Sequence, residues 1–272
     1  RSRRGRVYEA FDGTVHVVDH TAIAGLGERH DKETLEQYRL RYLEAIIKPG
    51  LPCVCGWDFG VQDPTSILLG QVTDEDSMTI RWIDEFEHNG KSWDFYHGFV
   101  NHAWAPVVRR ISGLDLMHYG DPAGNQRDSD LMSWVKNLRS RPPAIVVIHA
   151  PDKGSVLEWV DFVHDLMRKR HFEVSSYCAH LIDTLGQYHY PTDAEGNSIP
   201  GKQLPVHDEW SHAAKALEYA YKFRYWMRLP DADRRVIGNA MILGMEEGNT
   251  PAGPMPPQDS GPSNMSRKLN YF

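Results

Sequence analysis

The chain has 272 residues, of which 41% are hydrophobic and 25% charged, and its formal net charge at pH 7 is −7. This composition is that of a folded domain with a core rather than a disordered chain, and no apolar run approaches the roughly 20 residues that a membrane-spanning helix requires. The negative charge gives no general attraction to a polyanion, although a basic groove can lie on an acidic body. The N-terminal RSRRGR has neither an initiator Met nor an apolar signal core, so we expect a piece of a longer protein.

The first 50 residues contain a predicted hairpin and a predicted helix. Two short apolar runs within 7–19 flank Asp12-Gly13, a dipeptide typical of tight hairpin turns. Residues 31–46 carry apolar side chains at helical spacing, and Asp31 is the expected N-cap of that helix. A Pro-Gly pair then ends the helix.

Strands and helices alternate through the middle of the chain. We predict strands at 51–60, 66–72 and 78–86, and their short links favour an antiparallel meander. The elements predicted next are a helix at 91–104, a strand at 114–121, a helix at 129–138, a strand at 144–150 and a helix at 154–170. The order β-β-β-α-β-α-β-α indicates an α/β fold with a mixed sheet flanked by helices.

The last third of the chain contains a predicted hairpin, helix and tail. A DAEGN turn within 187–206 suggests a polar hairpin, and a helix is expected from about residue 207. From about residue 248 the chain is rich in Pro, Gly, Ser and Asn, which is typical of a flexible tail.

Three acids occupy positions that suggest a metal site. Asp58 and Asp121 each end a predicted strand, and Asp208 is expected in the first turn of the final helix. Carboxylates from separate elements that meet at one sheet edge are the ligands that hard divalent cations prefer. The alternative is that Asp58 and Asp121 only cap turns, which aspartates often do.

The final helix is expected to present a mixed polar face. Asp208, His212 and Lys215 are spaced i, i+4 and i+7, so they would project to one side of the helix. Such a face is either solvated or one wall of the metal site that the strand-end acids suggest.

Several motifs together resemble the large terminase subunits of tailed bacteriophages. They are GRVYEAFDGTVHVV near the N-terminus, GWDFGVQDPTSILLG, YGDPAGNQRDSD, and the long stretch that begins YCAHLIDTLG and ends HDEWSHAAKALEYA. Each motif alone has low specificity, but their order matches that of the family, from about Gly5 to Tyr221. The similarity is to the nuclease half of these proteins and does not include the ATPase half.

The resemblance implies a ribonuclease H-like fold and a packaging endonuclease. It implies that residues 1–50 form a linker hairpin and helix that follow a missing ATPase domain, that 51–228 form the nuclease domain, and that 229–272 are a C-terminal extension. The expected partners are double-stranded DNA, the portal protein, the small terminase subunit and the protein's own ATPase domain. The expected location is the host cytoplasm, at the procapsid, outside any membrane.

The resemblance also implies a set of site residues. Asp58 and Asp121 match the acids of the first and second metal-binding strands, and Asp208 is the expected third acid, with His212 as a further ligand or proton carrier. The chain departs from the family at Lys215, where related sequences often carry an acid. A lysine there would weaken a second metal site.

The implied chemistry is hydrolysis of phosphodiester bonds with Mg²⁺ or Mn²⁺, and two ions are expected from the resemblance. Arg127, Lys153 and Lys215 are candidates for DNA-phosphate contacts, which would position DNA without reading its sequence. Asp63 and Asp128 are either auxiliary carboxylates or turn residues.

Three alternatives remain open at the level of sequence. The chain could be another ribonuclease H-like enzyme, such as a resolvase or transposase core, which would prefer branched DNA. It could be a weakly active docking module of the packaging motor, for which Lys215 would be the sign of lost activity. It could also be an ordinary α/β domain whose acids are far apart.

Overall fold

The computed structural model describes residues 5–60, 63–121, 133–149, 156–193, 195, 199 and 204–227. The strands in this part of the chain are β1 Val17–Val18, β2 Cys53–Asp58, β3 Thr65–Asp74, β4 Thr79–His88, β5 Met117–Gly120, β6 Val147–His149 and β7 Phe172–Ser175. They form one seven-stranded sheet in the order β1-β7-β4-β3-β2-β5-β6.

The sheet is mixed, as the sequence predicts. Strands β2, β3 and β4 form the antiparallel meander, because their connections are too short for a crossover. Every other pair is parallel, with β5 beside β2, β6 beside β5, β7 beside β4 and β1 beside β7. The predicted α/β architecture, in which an antiparallel meander is followed by parallel strands in one mixed sheet, is therefore confirmed.

Helices cover both faces of this sheet. They are α1 Gly13–His16, α2 His20–Ala24, α3 Leu35–Ile46, α4 Trp93–Phe99, α5 Ala105–Ser112, α6 Trp134–Ser140, α7 Val156–Arg168, α8 Ala179–Gln187 and α9 Ser211–Met227. One core layer combines α7, α8 and α9 with the N-terminal segment, and the other combines α3, α4, α5 and α6. No helix in the described ranges is both long enough and apolar enough to cross a bilayer.

The hairpin predicted at 7–19 does not form. The carboxylate of Asp12 instead accepts a 2.9 Å hydrogen bond from the amide of Thr14 and caps the short helix α1. Asp and Gly are suited to a helix start as well as to a hairpin turn, and here local capping is the outcome. The chain that follows joins the sheet edge as β1, in parallel with β7.

The N-cap predicted for the helix of 31–46 is also wrong. Thr34 caps α3, with its hydroxyl accepting the amide of Gln37 at 3.1 Å while the Gln37 side chain accepts the amide of Thr34 at 2.9 Å. This reciprocal pair satisfies two amides at once. The N-cap therefore lies three residues after Asp31.

The helix predicted at 91–104 is longer than expected. A π-helical turn, Val100–Trp104, links α4 to α5, which continues to Ser112. Pro106 has no amide hydrogen, and it lies in the first turn of α5, where a missing donor costs least. The proline thus marks a change of helical form rather than the end of the helix.

Three of the described elements have no counterpart among the sequence predictions, namely α2, β7 and α8. Within the predicted hairpin of 187–206, Val206 donates to the carbonyl of His189 at 2.9 Å and Ile199 donates to that of Pro191 at 3.3 Å. The two sides therefore lie together, although most of the DAEGN turn lies outside the described residues.

The N-terminal segment packs on the same sheet as the later elements. Val7, Tyr8 and Phe11 are buried in the core layer that contains α9, and Val7 donates a 2.9 Å hydrogen bond to the carbonyl of Tyr188. The division into 1–50, 51–228 and 229–272 stays a prediction, and the predicted tail lies outside the described residues.

Candidate metal centre

The alternation of side chains along β2 and β5 points two acids toward the same helix. Val54 lies in the core layer under α9, while Cys53, Cys55 and Trp57 lie in the opposite layer. Asp58 follows Val54 at an even spacing, so it shares the face that α9 covers. By the same rule Asp121 shares the face of Tyr119, which also lies in the α9 layer.

Strand pairing then brings these two acids side by side. Strands β2 and β5 run parallel with Trp57 opposite Gly120, so the next residue of each strand is an aspartate. The amide of Asp121 donates to the carbonyl of Trp57 at 3.1 Å, which continues the ladder beyond β5. The two carboxylates lie near enough that the charge of Asp121 raises the pKa of Asp58.

A glycine lets α9 lie directly on the sheet at this point. A Cβ on Gly56 would lie 2.1 Å from the carbonyl oxygen of Ala216, a backbone atom that cannot move aside alone. Ala213, Ala216 and Ala220 are fully buried, so small side chains line the helix along this contact. The close approach sets the distance between α9 and the acids at the strand ends.

Replacing Gly56 with alanine is expected to destabilise the fold and disturb the site together. Overpacking of a close contact costs about 1–3 kcal/mol, and relief by moving α9 outward would separate His212 from Asp58. Thermal unfolding and divalent-metal binding would measure the two effects. The matched control is Gly186→Ala in α8, where an added Cβ meets no atom within 4 Å, and where alanine should stabilise the helix by up to about 1 kcal/mol.

The first helical turn of α9 supplies a histidine to the acids. Nδ1 of His212 lies 3.0 Å from Oδ2 of Asp58, and both side chains are buried. Burial, with a smaller contribution from the charge of Asp121, raises the pKa of Asp58 to about 6, although His212 and Lys215 act in the opposite direction. Burial lowers the pKa of His212, but the hydrogen bond and charge of Asp58 more than offset this, and the net shift is upward.

Tyr219 ties the second acid to the same helix face. It is hydrogen-bonded to Asp121, and burial, followed by the charges of Asp121 and Asp58, holds its pKa well above the ordinary value. His212, Lys215 and Tyr219 are spaced i, i+3 and i+7, so they line one side of α9. These three side chains therefore form the wall that α9 contributes to the site.

Lys215 is held in an ion pair by a carboxylate that the sequence predictions do not include. Its Nζ lies 2.7 Å from Oε2 of Glu218, which is only 1% exposed and accepts a 2.9 Å hydrogen bond from the hydroxyl of Tyr8. The positive charge also acts on Asp58 and lowers its pKa. Glu218, at i+3 from Lys215, was detectable from helical spacing alone.

Asp208 lies just before the final helix. The prediction that it lies in the first turn of the helix is wrong, because α9 begins at Ser211. The carboxylate of Asp208 accepts the amide of Trp210 at 3.0 Å and lies 3.8 Å from Nδ1 of His189. The carboxylate is therefore bonded within the turn that precedes the helix. Because Asp208 lies outside α9, it does not share the helix face of His212 and Lys215.

The other predicted site residues divide into two groups. Arg127, Lys153 and Asp128 lie outside the described residues, so their roles stay predictions. Asp63 is exposed, and its Oδ2 lies 3.4 Å from Nε2 of His207. It thus lies beside the first residues of the α9 region rather than in an isolated turn.

Comparisons with known proteins find a curated sequence that is similar to this chain. The chain is 25% identical over 218 residues to the large terminase subunit of Escherichia phage T5, a match that covers 79% of this chain and 41% of that protein. The chain is therefore similar in sequence to a phage large terminase subunit. It spans less than half the length of this curated relative. No family model matches the chain.

Solved terminase structures share the fold. The large terminase nuclease domain of P22 matches with a TM-score of 0.54 and 16% identity, over 82% of this chain and 95% of that one. The large terminase of a thermophilic bacteriophage, in complex with ATP-gamma-S, matches with a TM-score of 0.55 and 18% identity, over 79% of this chain and 44% of that one. The terminase relationship thus extends to the nuclease-domain fold that the sequence motifs imply.

Proposed function

We propose that this chain is the metal-dependent nuclease domain of a viral DNA-packaging terminase and that it cuts double-stranded DNA with little sequence specificity. The observation that carries the proposal is the placement of Asp58 and Asp121 on adjacent parallel strands, both facing α9. Two carboxylates held side by side at the ends of adjacent strands could hold a cation against a scissile phosphate.

The residues fit a hard divalent cation. Two neighbouring carboxylates offer oxygen ligands, which Mg²⁺ and Mn²⁺ prefer. In the absence of a cation their charges repel, and the raised pKa of Asp58 reflects burial together with this repulsion. A bound cation would relieve the cost of holding both groups ionised.

Each residue has a distinct part in this proposal. Asp58 and Asp121 would hold the cation, which when bound supplies Lewis-acid activation of water and charge stabilisation in phosphodiester hydrolysis. His212 is hydrogen-bonded to Oδ2 of Asp58, which leaves Oδ1 as the oxygen that would hold the cation. Tyr219 fixes Asp121 through its hydrogen bond.

Lys215 bears on the number of cations. Its ammonium acts on Asp58 from the position where related sequences often carry a third acid. A fixed positive charge there opposes a second cation of the same sign. We therefore expect the first ion to bind between Asp58 and Asp121 and a second to bind only weakly.

The partners follow from the terminase relationship. They are double-stranded DNA, the portal protein, the small terminase subunit and an ATPase domain of the same protein, at the procapsid in the host cytoplasm. Low sequence specificity follows because contacts with phosphates position DNA without reading its bases.

Digestion of supercoiled plasmid by the full chain tests the proposal. We expect nicked and linear products with Mg²⁺ or Mn²⁺, none with excess chelator, and recovery when the ion is restored. A strong preference for four-way junctions over plasmid would favour a resolvase instead. Absence of cleavage at every metal concentration, with portal binding retained, would favour a docking module.

A further inference from the structure

Two histidines and an aspartate form a second cluster of potential metal ligands beside the two acids. One ligand atom from each of Asp63, His207 and His212 lies within 4.8 Å of the others. The rings of His207 and His212 are 5.3 Å apart between centroids, and Nε2 of His207 is 3.4 Å from Oδ2 of Asp63. The cluster joins the loop after β2 to the start of α9.

The hydrogen bonds of His207 determine which ring nitrogen is available. The hydroxyl of Ser211 donates to the carbonyl of Asp208 at 2.6 Å, so it acts as the acceptor toward Nδ1 of His207, 3.0 Å away. Nδ1 then carries the hydrogen, and Nε2 of the neutral ring keeps a lone pair. This is the nitrogen that lies toward Asp63.

His212 is arranged in the same way. Its Nδ1 lies 3.0 Å from the carboxylate of Asp58, which accepts when ionised, so Nδ1 carries the hydrogen and Nε2 is left as the potential ligand. Histidines that bind metals typically donate their other ring N–H to a carboxylate or another oxygen, which fixes the ring. Both His207 and His212 have such a partner.

The contact between His207 and Asp63 needs a positive charge to be favourable. A lone pair on Nε2 and a carboxylate oxygen at 3.4 Å repel each other unless a proton or a cation lies between them. That separation matches the distance of about 3.4 Å between two ligands bound at about 2.0–2.1 Å to a tetrahedral ion.

We propose that Asp63, His207 and His212 bind a divalent transition-metal ion of the Zn²⁺ or Co²⁺ type. Imidazole nitrogens favour such ions over Mg²⁺, whose preferred ligands are oxygens. Three protein ligands leave a tetrahedral ion one position for water or another oxygen. The site is separate from the one between Asp58 and Asp121, and its existence does not depend on nuclease activity.

Titration of the full chain with Co²⁺ in saturating Mg²⁺, followed by visible absorption, tests this proposal. We expect one Co²⁺ to bind with the spectrum of a nitrogen-ligated site and to be displaced by Zn²⁺. His207→Ala and Asp63→Asn should each weaken binding by more than the roughly 10–100-fold typical of losing an outer-shell partner. Both residues are exposed, so the variants should fold.

The matched control is His102→Ala, which removes an exposed histidine from the π-helical turn. It should bind Co²⁺ as the wild type does. Unchanged Co²⁺ binding in both His207→Ala and Asp63→Asn would overturn the proposal. Cleavage in Mg²⁺ reports separately on the proposed nuclease, because an inactive wild type that still binds Co²⁺ through His207 would contradict only that function.

Discussion

Asp58→Asn is expected to reduce divalent-metal-dependent DNA cleavage by on the order of 10²–10⁴-fold. The substitution removes the negative charge of one of two proposed ligands but keeps an oxygen that can accept from His212, 3.0 Å away in the wild type. Metal catalysis contributes several kcal/mol to transition-state stabilisation, and about 1.4 kcal/mol corresponds to a tenfold change in rate. Rates of plasmid cleavage across a range of Mg²⁺ and Mn²⁺ concentrations would measure the effect.

Asp121→Asn should behave in the same way, because the two acids would share one cation. The matched control is Asp115→Asn. Asp115 lies just before β5, and its ion pair with Arg109 is exposed. Exposed pairs contribute about 0–1 kcal/mol, so this variant should cut DNA normally. Wild-type cleavage by folded Asp58→Asn and Asp121→Asn would refute the assignment of both ligands.

The stability of Asp58→Asn distinguishes lost chemistry from unfolding. Burial raises the pKa of Asp58 to about 6 from an ordinary value of 3.8. Between these values the folded state holds a proton that the unfolded state has released, so the free energy of unfolding falls as pH rises through this window. Asparagine does not ionise, so the variant does not lose this free energy of unfolding as the pH rises. In chelator at pH 8, we therefore expect the variant to melt no lower than the wild type.

Local pattern was enough to predict the meander but not strand β7, which pairs with β4. The runs that became β2, β3 and β4 are apolar and separated by short turns, so adjacency in sequence implies adjacency in space. Strand β7 has four residues and pairs in parallel with β4, about 90 positions earlier in the chain. Such a strand is specified by the tertiary surface it joins and has little local signal.

The hairpin error has a similar origin. An Asp-Gly pair fits a tight turn and a helix start about equally well on local grounds. At Asp12 the decision comes from the rest of the fold, since Phe11 is buried in the core layer that contains α9. Because this segment buries its side chains in that core layer, it packs on the sheet instead of forming a separate hairpin.

The site was predictable where it depends on strand ends and unpredictable where it depends on the helix register. Asp58 and Asp121 follow apolar strands with the same parity, so their convergence follows from strand geometry. The sequence predicts a helix from about residue 207, but α9 begins at Ser211, so Asp208 does not lie on the predicted helix face. The pairing of Lys215 with Glu218 does not depend on where α9 begins, because residues at i and i+3 are neighbours on any helix.

Lys215→Met is expected to destabilise the fold by about 3 kcal/mol, the lower end of the range for removing one partner of a buried ion pair. Lys215 Nζ lies 2.7 Å from the carboxylate of Glu218, whose side chain is 1% exposed. Methionine keeps the aliphatic bulk but removes the ammonium from Oε2 of Glu218, while the hydroxyl of Tyr8 still donates to Oε1. Urea unfolding at pH 7 would measure the loss.

A double-mutant cycle separates this structural role from a contact with DNA. If Lys215 mainly compensates Glu218, the variant Lys215→Met/Glu218→Gln should recover most of the stability lost by Lys215→Met, because no unpaired charge remains buried. If the losses simply add, the pair is not coupled and the compensation argument fails. A phosphate contact would instead lower the slope of DNA affinity against salt by about one, an effect that Glu218→Gln alone should not produce. The structural account predicts coupling in the cycle and an unchanged salt slope, and so explains a lysine beside two acids without requiring that the site be inactive.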